Sequence, residues 1–122
     1  MANTNGSANY QRGVASLVLL ALLKQQDMYG YQLVQEAEKQ SRGALIMQEG
    51  SLYPVLYRLL DAGYITDRKV LVGKRMTRIY YHLELEGAEY LQALISEYRT
   101  VTNGVFSIVE GGRFGGDDGW KR

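Results

Sequence analysis

The chain contains no cysteine and a single histidine, His82. Without cysteine there is no disulfide framework, no thiolate metal site and no thiol nucleophile. One histidine cannot supply a multi-histidine metal centre or a histidine acid–base pair within one chain. Long apolar runs are also missing. The longest, Val14 to Leu23, is ten residues, about half of the ~20 that a membrane span requires. The opening, Met1 to Asn9, is small, polar and uncharged, so it lacks the basic start of a signal peptide. After the apolar run stands Lys24-Gln25-Gln26-Asp27 rather than a small-residue cleavage site. The expectation is a cytoplasmic protein with no membrane segment. There is no nucleophile–base pair, no metal-ligand cluster and no phosphate-binding glycine loop. An enzyme is therefore not expected, nor a metal, a cofactor or a catalytic residue.

What remains is an ordinary globular chain of 122 residues, 46% apolar and 22% charged, enough for one domain and one core. Its net charge of +1 hides an uneven distribution. From Arg42 to Tyr80 there are seven basic residues (Arg42, Arg58, Arg68, Lys69, Lys74, Arg75, Arg78) against Glu49, Asp61 and Asp67. From Glu84 to Asp118 seven acids face only Arg99 and Arg113. A basic middle followed by an acidic end suggests a polyanion-binding surface on part of the chain. Chance solvated charge is the bland alternative.

Residues 1–8 are expected to form a flexible arm, and Asn9 to cap a helix reaching about Gln26. That helix carries Val14, Leu17, Val18, Leu20, Ala21, Leu22 and Leu23 around most of its circumference, which implies burial on more than one side and hints at a second chain. After the break at Asp27-Met28-Tyr29-Gly30, a second helix spans Gly30 to Gln40, with Gly43 as its candidate C′ residue. A third helix is expected from Gly50-Ser51. Ser51 would cap it, and Pro54 would fall in its first turn, where a missing amide costs nothing. Leu52, Val55, Leu56, Leu59 and Leu60 line one face. Gly63 closes it. Ile65 to Val72 and Met76 to Leu83 are expected strands, rich in β-branched and aromatic residues, around the tip Gly73-Lys74-Arg75. A last helix runs from Glu84 to about Val109 or Glu110. Its Leu91, Leu94, Tyr98, Val101, Val105 and Ile108 repeat at spacings of three and four, the pattern of a packed helix pair. Residues 111–122 are glycine-rich and expected to be disordered.

Three helices followed by a basic-tipped hairpin make a mainly α fold with a two-stranded β-wing. It is a winged helix-turn-helix over residues 9–83, followed by a C-terminal dimerisation helix at 84–110. In this design the third helix enters the major groove, ~12 Å wide, and the wing reaches backbone or minor groove beside it. Tyr53, Tyr57 and Arg58 are the long polar side chains near the start of that helix. Lys69, Lys74, Arg75 and Arg78 are the cations placed for phosphate. A domain this small buries little surface, so a homodimer is expected on double-stranded DNA. Its interface would use the seam together with Leu17 and Leu20 of the first helix. A winged-helix module that docks a protein partner, without sequence-specific DNA binding, is the alternative. His82, on a strand between Tyr81 and Leu83, is expected to be an ordinary half-exposed histidine.

Several segments together resemble the PadR family of transcriptional regulators. They are Tyr29-Gly30-Tyr31-Gln32-Leu33, Gly50-Ser51-Leu52-Tyr53-Pro54-Val55-Leu56-Tyr57-Arg58-Leu59, Gly63-Tyr64-Ile65, Arg78-Ile79-Tyr80-Tyr81-His82-Leu83 and Gly87. The resemblance covers about residues 13–109, and the short single last helix looks like the smaller subfamily. It implies a bacterial repressor, homodimeric through the last helix, that leaves a pseudo-palindromic operator when a small aromatic or hydrophobic effector binds. It adds Tyr31, Gln32, Ser51 and Pro54 to the expected DNA-contacting residues. It implies an effector pocket at Tyr98, with Ala93, Leu94, Leu17 and Val18 as neighbours. The sequence departs from the family pattern at Glu84, where threonine is usual, and in a wing poorer in glycine. The glycine-rich tail is outside the pattern.

Overall fold

The structure, a computed structural model, describes residues 3–111, with side chains from Gly13 onward. Its elements are α1 (Asn3–Gln25), β1 (Met28–Tyr29), α2 (Gly30–Gln40), α3 (Glu49–Asp61), β2 (Ile65–Val72), β3 (Met76–Leu83) and α4 (Leu85–Val109). The chain divides into two compact units, Met1–Gln92 and Ala93–Arg122. The expected disordered tail, 111–122, lies outside the described residues apart from Gly111.

In the first unit α1, α2 and α3 pack on one another and on one face of a sheet of order β1-β3-β2. The two long strands fall where composition placed them. The third, β1, was expected only as a break between helices. Met28 pairs with Tyr81 and Tyr29 with Tyr80, antiparallel. Leu19, Leu20, Leu33, Leu52, Leu56, Ile65 and Leu91 form the centre of the core, each 0–1% exposed.

Several helix ends differ from expectation. Helix α1 begins at Asn3, not after Asn9. No proline stands in residues 3–8, and extending a formed helix backwards costs far less than nucleating one. Helix α3 begins at Glu49, with Gln48, not Ser51, at the N-cap; the amides of Ser51 and Leu52 both donate to the Gln48 carbonyl at 3.0 Å. Pro54 therefore lies in the second turn and leaves the Gly50 carbonyl without its helical donor. Gly50 is exposed, so water can serve that carbonyl, and its lack of a side chain eases the approach of the proline ring. At the end of α2 the C′ residue is Arg42, left-handed at φ 57°, and not Gly43, which follows it at φ 85°. Arg42 N–H donates to Lys39 and Gly43 N–H to Glu38, the paired bonds of a Schellman motif. The same motif closes α3, where Gly63 takes the left-handed position at φ 80°.

The start of α4 is fixed to the first unit by three contacts. The amide of Glu84 donates to the Tyr64 carbonyl at 3.0 Å, and the Thr66 hydroxyl donates to the Glu84 carboxylate at 2.7 Å. Tyr64 and Tyr90 stack with ring centroids 4.3 Å apart. Glutamate thus serves where the family pattern has threonine. Gly87 is buried here, and a Cβ at this position would run into the Tyr64 carbonyl oxygen and Leu83.

Candidate nucleic-acid interface

Helix α3 has two distinct faces. Leu52, Val55, Leu56 and Leu59 are buried. Gly50, Pro54, Tyr57, Arg58 and Asp61 form an exposed stripe at helical spacing, with Ser51 exposed at its side. Tyr53 is different. It is half-buried, and its hydroxyl end lies against Gly30 at the start of α2, where a larger residue would have no room. Its ring centroid is 6.1 Å from that of Tyr57. Burial, then the nearby Glu49 and Tyr57, push its phenol above the ordinary value, so it stays protonated at neutral pH. Tyr53 therefore locks α3 onto α2, while Tyr57 and Arg58 project into solvent.

On α2, Tyr31 is exposed. Gln32 is half-buried, and its side-chain oxygen accepts from the Tyr29 amide at 3.4 Å. That oxygen closes a capping box at the start of α2.

The hairpin turns at Gly73, φ 81°, and exposes Lys74 and Arg75 at its tip. The strand register pairs Lys69 with Ile79, Val70 with Arg78 and Arg68 with Tyr80. Side chains alternate across a sheet, so Lys69 shares a face with the buried Ile65 and Tyr81, the face that meets the helices. Arg78 lies on the opposite, outer face. The expected set of wing cations is thus split between two sides. On the helix side, burial first, and then Tyr53, Tyr57 and Asp67, push the Tyr81 phenol up to about 12.

The outer face carries a cluster that the sequence reading did not assemble. The Arg78 guanidinium carbon sits 4.1 Å from the Tyr29 ring centroid. Tyr29 meets Tyr80 edge to face, centroids 5.4 Å apart, and Arg68 stands 5.5 Å over Tyr80. Arg68 also donates through Nη1 to the Asp27 carboxylate, and His82 Nδ1 lies 2.8 Å from the same carboxylate. His82 is exposed, as expected for an ordinary histidine, but its ring nitrogen is a hydrogen-bond partner of Asp27 and not simply a solvated group. Burial raises the Asp27 carboxyl; the hydrogen bonds from His82 and Arg68 outweigh it and hold the group below its ordinary value of 3.8. Among the described residues these are the ion pairs, and Arg58 makes neither. The signal for this cluster was the hairpin register, which brings positions 68, 78, 80 and 82 onto one face. It could be used only once Asp27 and Tyr29 were known to lie beside β3.

The expected interface and effector residues fall in both units. In the first, Leu20 and Leu91 are 0% and 1% exposed inside the chain's own core, so neither remains available to a second chain. The alternation of the α4 repeat did not distinguish Leu91, which faces the first unit, from the residues after it. Leu17 and Val18 are half-buried on α1. In the second unit Ala93 is exposed and Leu94 half-buried, and Tyr98, Val101, Val105 and Ile108 are exposed, joined by Phe106 and Val109. Among the described residues no group of three His, Cys, Asp or Glu is placed to hold a metal, and no helix is long and apolar enough to cross a membrane.

Comparison with known proteins places this geometry among regulators. The profile of the transcriptional regulator PadR-like family matches residues 19–93. The chain is 30% identical over 83 residues to the transcriptional regulator YqjI of Escherichia coli, a match covering 68% of this chain and 38% of that protein. A transcriptional regulator from Clostridium thermocellum superposes with a TM-score of 0.75 at 26% identity, covering 83% of this chain and 95% of that one. Bacillus subtilis PadR, solved in complex with operator DNA, shares the fold at a TM-score of 0.63 and 24% identity, over 67% of this chain and 46% of that one.

Proposed function

The chain belongs to the PadR-like family of transcriptional regulators, and on that premise we propose that it is a cytoplasmic repressor that binds operator DNA as a homodimer. The exposed stripe of α3, flanked by a hairpin that carries Lys74 and Arg75 at its tip, is the observation that carries this reading. In it α3 enters the major groove. Ser51, Pro54 and Tyr57 face the groove, and Arg58 faces a phosphate. Tyr31 meets the backbone from α2. Lys74, Arg75, Lys69 and Arg78 supply the cations of the wing. The operator-bound state of Bacillus subtilis PadR supports the same use of a shared fold.

The partner of α4 in this reading is a second copy of the chain. Val101, Val105 and Ile108 are 48–79% exposed in a single chain, together with Phe106 and Val109. A contiguous apolar row of this kind on a regulator is an association surface. Two-fold pairing would set two α3 helices about one DNA turn apart, ~34 Å, on a pseudo-palindromic site. Release by a small aromatic or hydrophobic effector would draw on Tyr98 with Ala93, Leu94, Leu17 and Val18.

The test is a titration of the purified protein against its own upstream promoter fragment at two salt concentrations, with non-specific DNA as competitor. Tight, salt-sensitive, competitor-resistant binding is expected, with log affinity falling by ~0.9 per neutralised phosphate for each unit of log salt. If duplex DNA is ignored even at low salt, the repressor reading fails and the winged helix is a protein-docking module. Adding aromatic compounds to the bound complex tests the effector.

A further inference from the structure

We propose that Tyr29 is a positioning residue for DNA binding, holding the Arg78 guanidinium against a backbone phosphate beside the groove that α3 enters. The inference rests on the DNA-binding reading above and goes beyond it, because it concerns a residue with no assigned role and assigns the two outer-face arginines different tasks.

The argument begins with where Tyr29 stands. It ends β1 and directly precedes Gly30, the residue against which Tyr53 of α3 is packed. On its other side it pairs with Tyr80 of β3 and carries Arg78 over its ring. Tyr29 therefore links the helix that presents Tyr57 and Arg58 to the strand that leads to the wing tip. A displacement of either would be felt at the other through a two-residue path.

The chemistry of the stack comes next. A guanidinium lying over a ring uses its face for the ring and leaves the N–H groups at its edge free. At 4.1 Å the contact is close enough to hold the group in one place. Arg78 is half-buried yet has no carboxylate partner, since the ion pairs among the described residues belong to Asp27. Among the described residues no side chain takes its donors, so it is a cation held in place and open to an acceptor. Arg68, on the same face, is the opposite case. Asp27 takes its donor and offsets its charge, and its contact with Tyr80 is longer, at 5.5 Å. The structure thus supplies one neutralised arginine that ties β2 to the residue preceding β1 and one pre-placed arginine for a polyanion. A phosphate is the acceptor that fits a planar fork of donors on a protein that binds duplex DNA.

The experiment compares full-length wild type, Arg78→Ala, Arg78→Lys, Tyr29→Phe, Tyr29→Leu and the Tyr29→Leu/Arg78→Ala double variant. Each is titrated on the promoter duplex over a series of salt concentrations, with thermal midpoints recorded alongside. Arg78→Ala is expected to weaken binding about tenfold or more and to flatten the salt slope by ~0.9. Arg78→Lys keeps the slope but loses affinity, because a compact ammonium lacks the fork. Tyr29→Phe keeps the ring and binds as wild type. Tyr29→Leu fills the space without a ring and weakens binding about threefold to tenfold, and it has no further effect in the Arg78→Ala background. An unchanged slope in Arg78→Ala overturns the proposal, as do additive losses in the double variant. These outcomes require that wild type binds duplex DNA. If it does not, the repressor reading itself falls, which is a separate result.

Discussion

Two glycines in α4 should respond in opposite ways to the same substitution. Glycine within a helix costs ~1 kcal/mol relative to alanine. Gly104 is exposed, and a Cβ there would meet nothing within 4 Å. Gly104→Ala should therefore stabilise the chain by ~1 kcal/mol, a rise of about 4 °C in midpoint for a protein of this size. Gly87 gains the same propensity but loses more. Its new Cβ would overlap the Tyr64 carbonyl oxygen, which is backbone, and the Leu83 side chain. That carbonyl also accepts from Glu84 at 3.0 Å. Separating the two segments endangers a hydrogen bond worth ~1 kcal/mol and adds a packing strain of ~1–3 kcal/mol. After the propensity gain, Gly87→Ala should cost about 1–3 kcal/mol. Urea unfolding followed by circular dichroism measures both variants at one fixed protein concentration, because dimerisation would otherwise shift the midpoints. A Gly87→Ala variant as stable as Gly104→Ala would show that the junction of α4 with β2 is not closed as described.

Four further outcomes are expected. Arg42→Gly should raise stability by about 0.5–1 kcal/mol in the same assay, since only glycine holds the left-handed φ of 57° without strain. Replacing Lys74 and Arg75 together by alanine should weaken binding to all duplexes alike and flatten the salt slope by about 2, as fluorescence titration would show. Val101→Asp with Val105→Asp should give monomers in sedimentation with the helical circular dichroism of the folded chain retained, because both side chains are exposed in the single chain; a dimer that survives would place the interface elsewhere. The Tyr81 phenol is held up at about 12, mainly by burial. The proton is bound more tightly in the folded state, so this stability is full below ~10, the unfolded value, and is lost as pH rises towards 12. Tyr81→Phe should remove that alkaline loss from a stability profile.

The fold was legible where pattern and chemistry coincide. Helix α2 and both long strands lie where periodicity, β-branching and the glycine at position 73 put them, and the third helix buries Leu52, Val55, Leu56 and Leu59 of its expected apolar face, with Leu60 only half-buried. Its first turn was misread because serine is a better cap by type than glutamine. Type preference cannot see which carbonyl the amides of Ser51 and Leu52 will find. The same limit applies to Arg42, which takes the C′ position that residue type assigns to the glycine one residue later, although both are left-handed.

The outer-face cluster was hidden for a different reason. Composition revealed that residues 42–80 are basic, but not that one arginine is neutralised and another is left open. That distinction depends on Asp27 and Tyr29, some 40 to 50 residues away in sequence from their partners. Tyr29 belongs to a two-residue strand with no period of its own to announce it, and Asp27 directly precedes that strand. Charge counted along a chain overstates the cations available to a polyanion, because ion pairs across a sheet remove some of them. Arg68 should therefore be discounted from the local excess, and Arg78, Lys69, Lys74 and Arg75 carry the electrostatic attraction of the wing. The salt slope of DNA binding should follow that smaller set: Arg68→Ala should leave the slope nearly unchanged, and a fall as large as that of Arg78→Ala would refute the division between them.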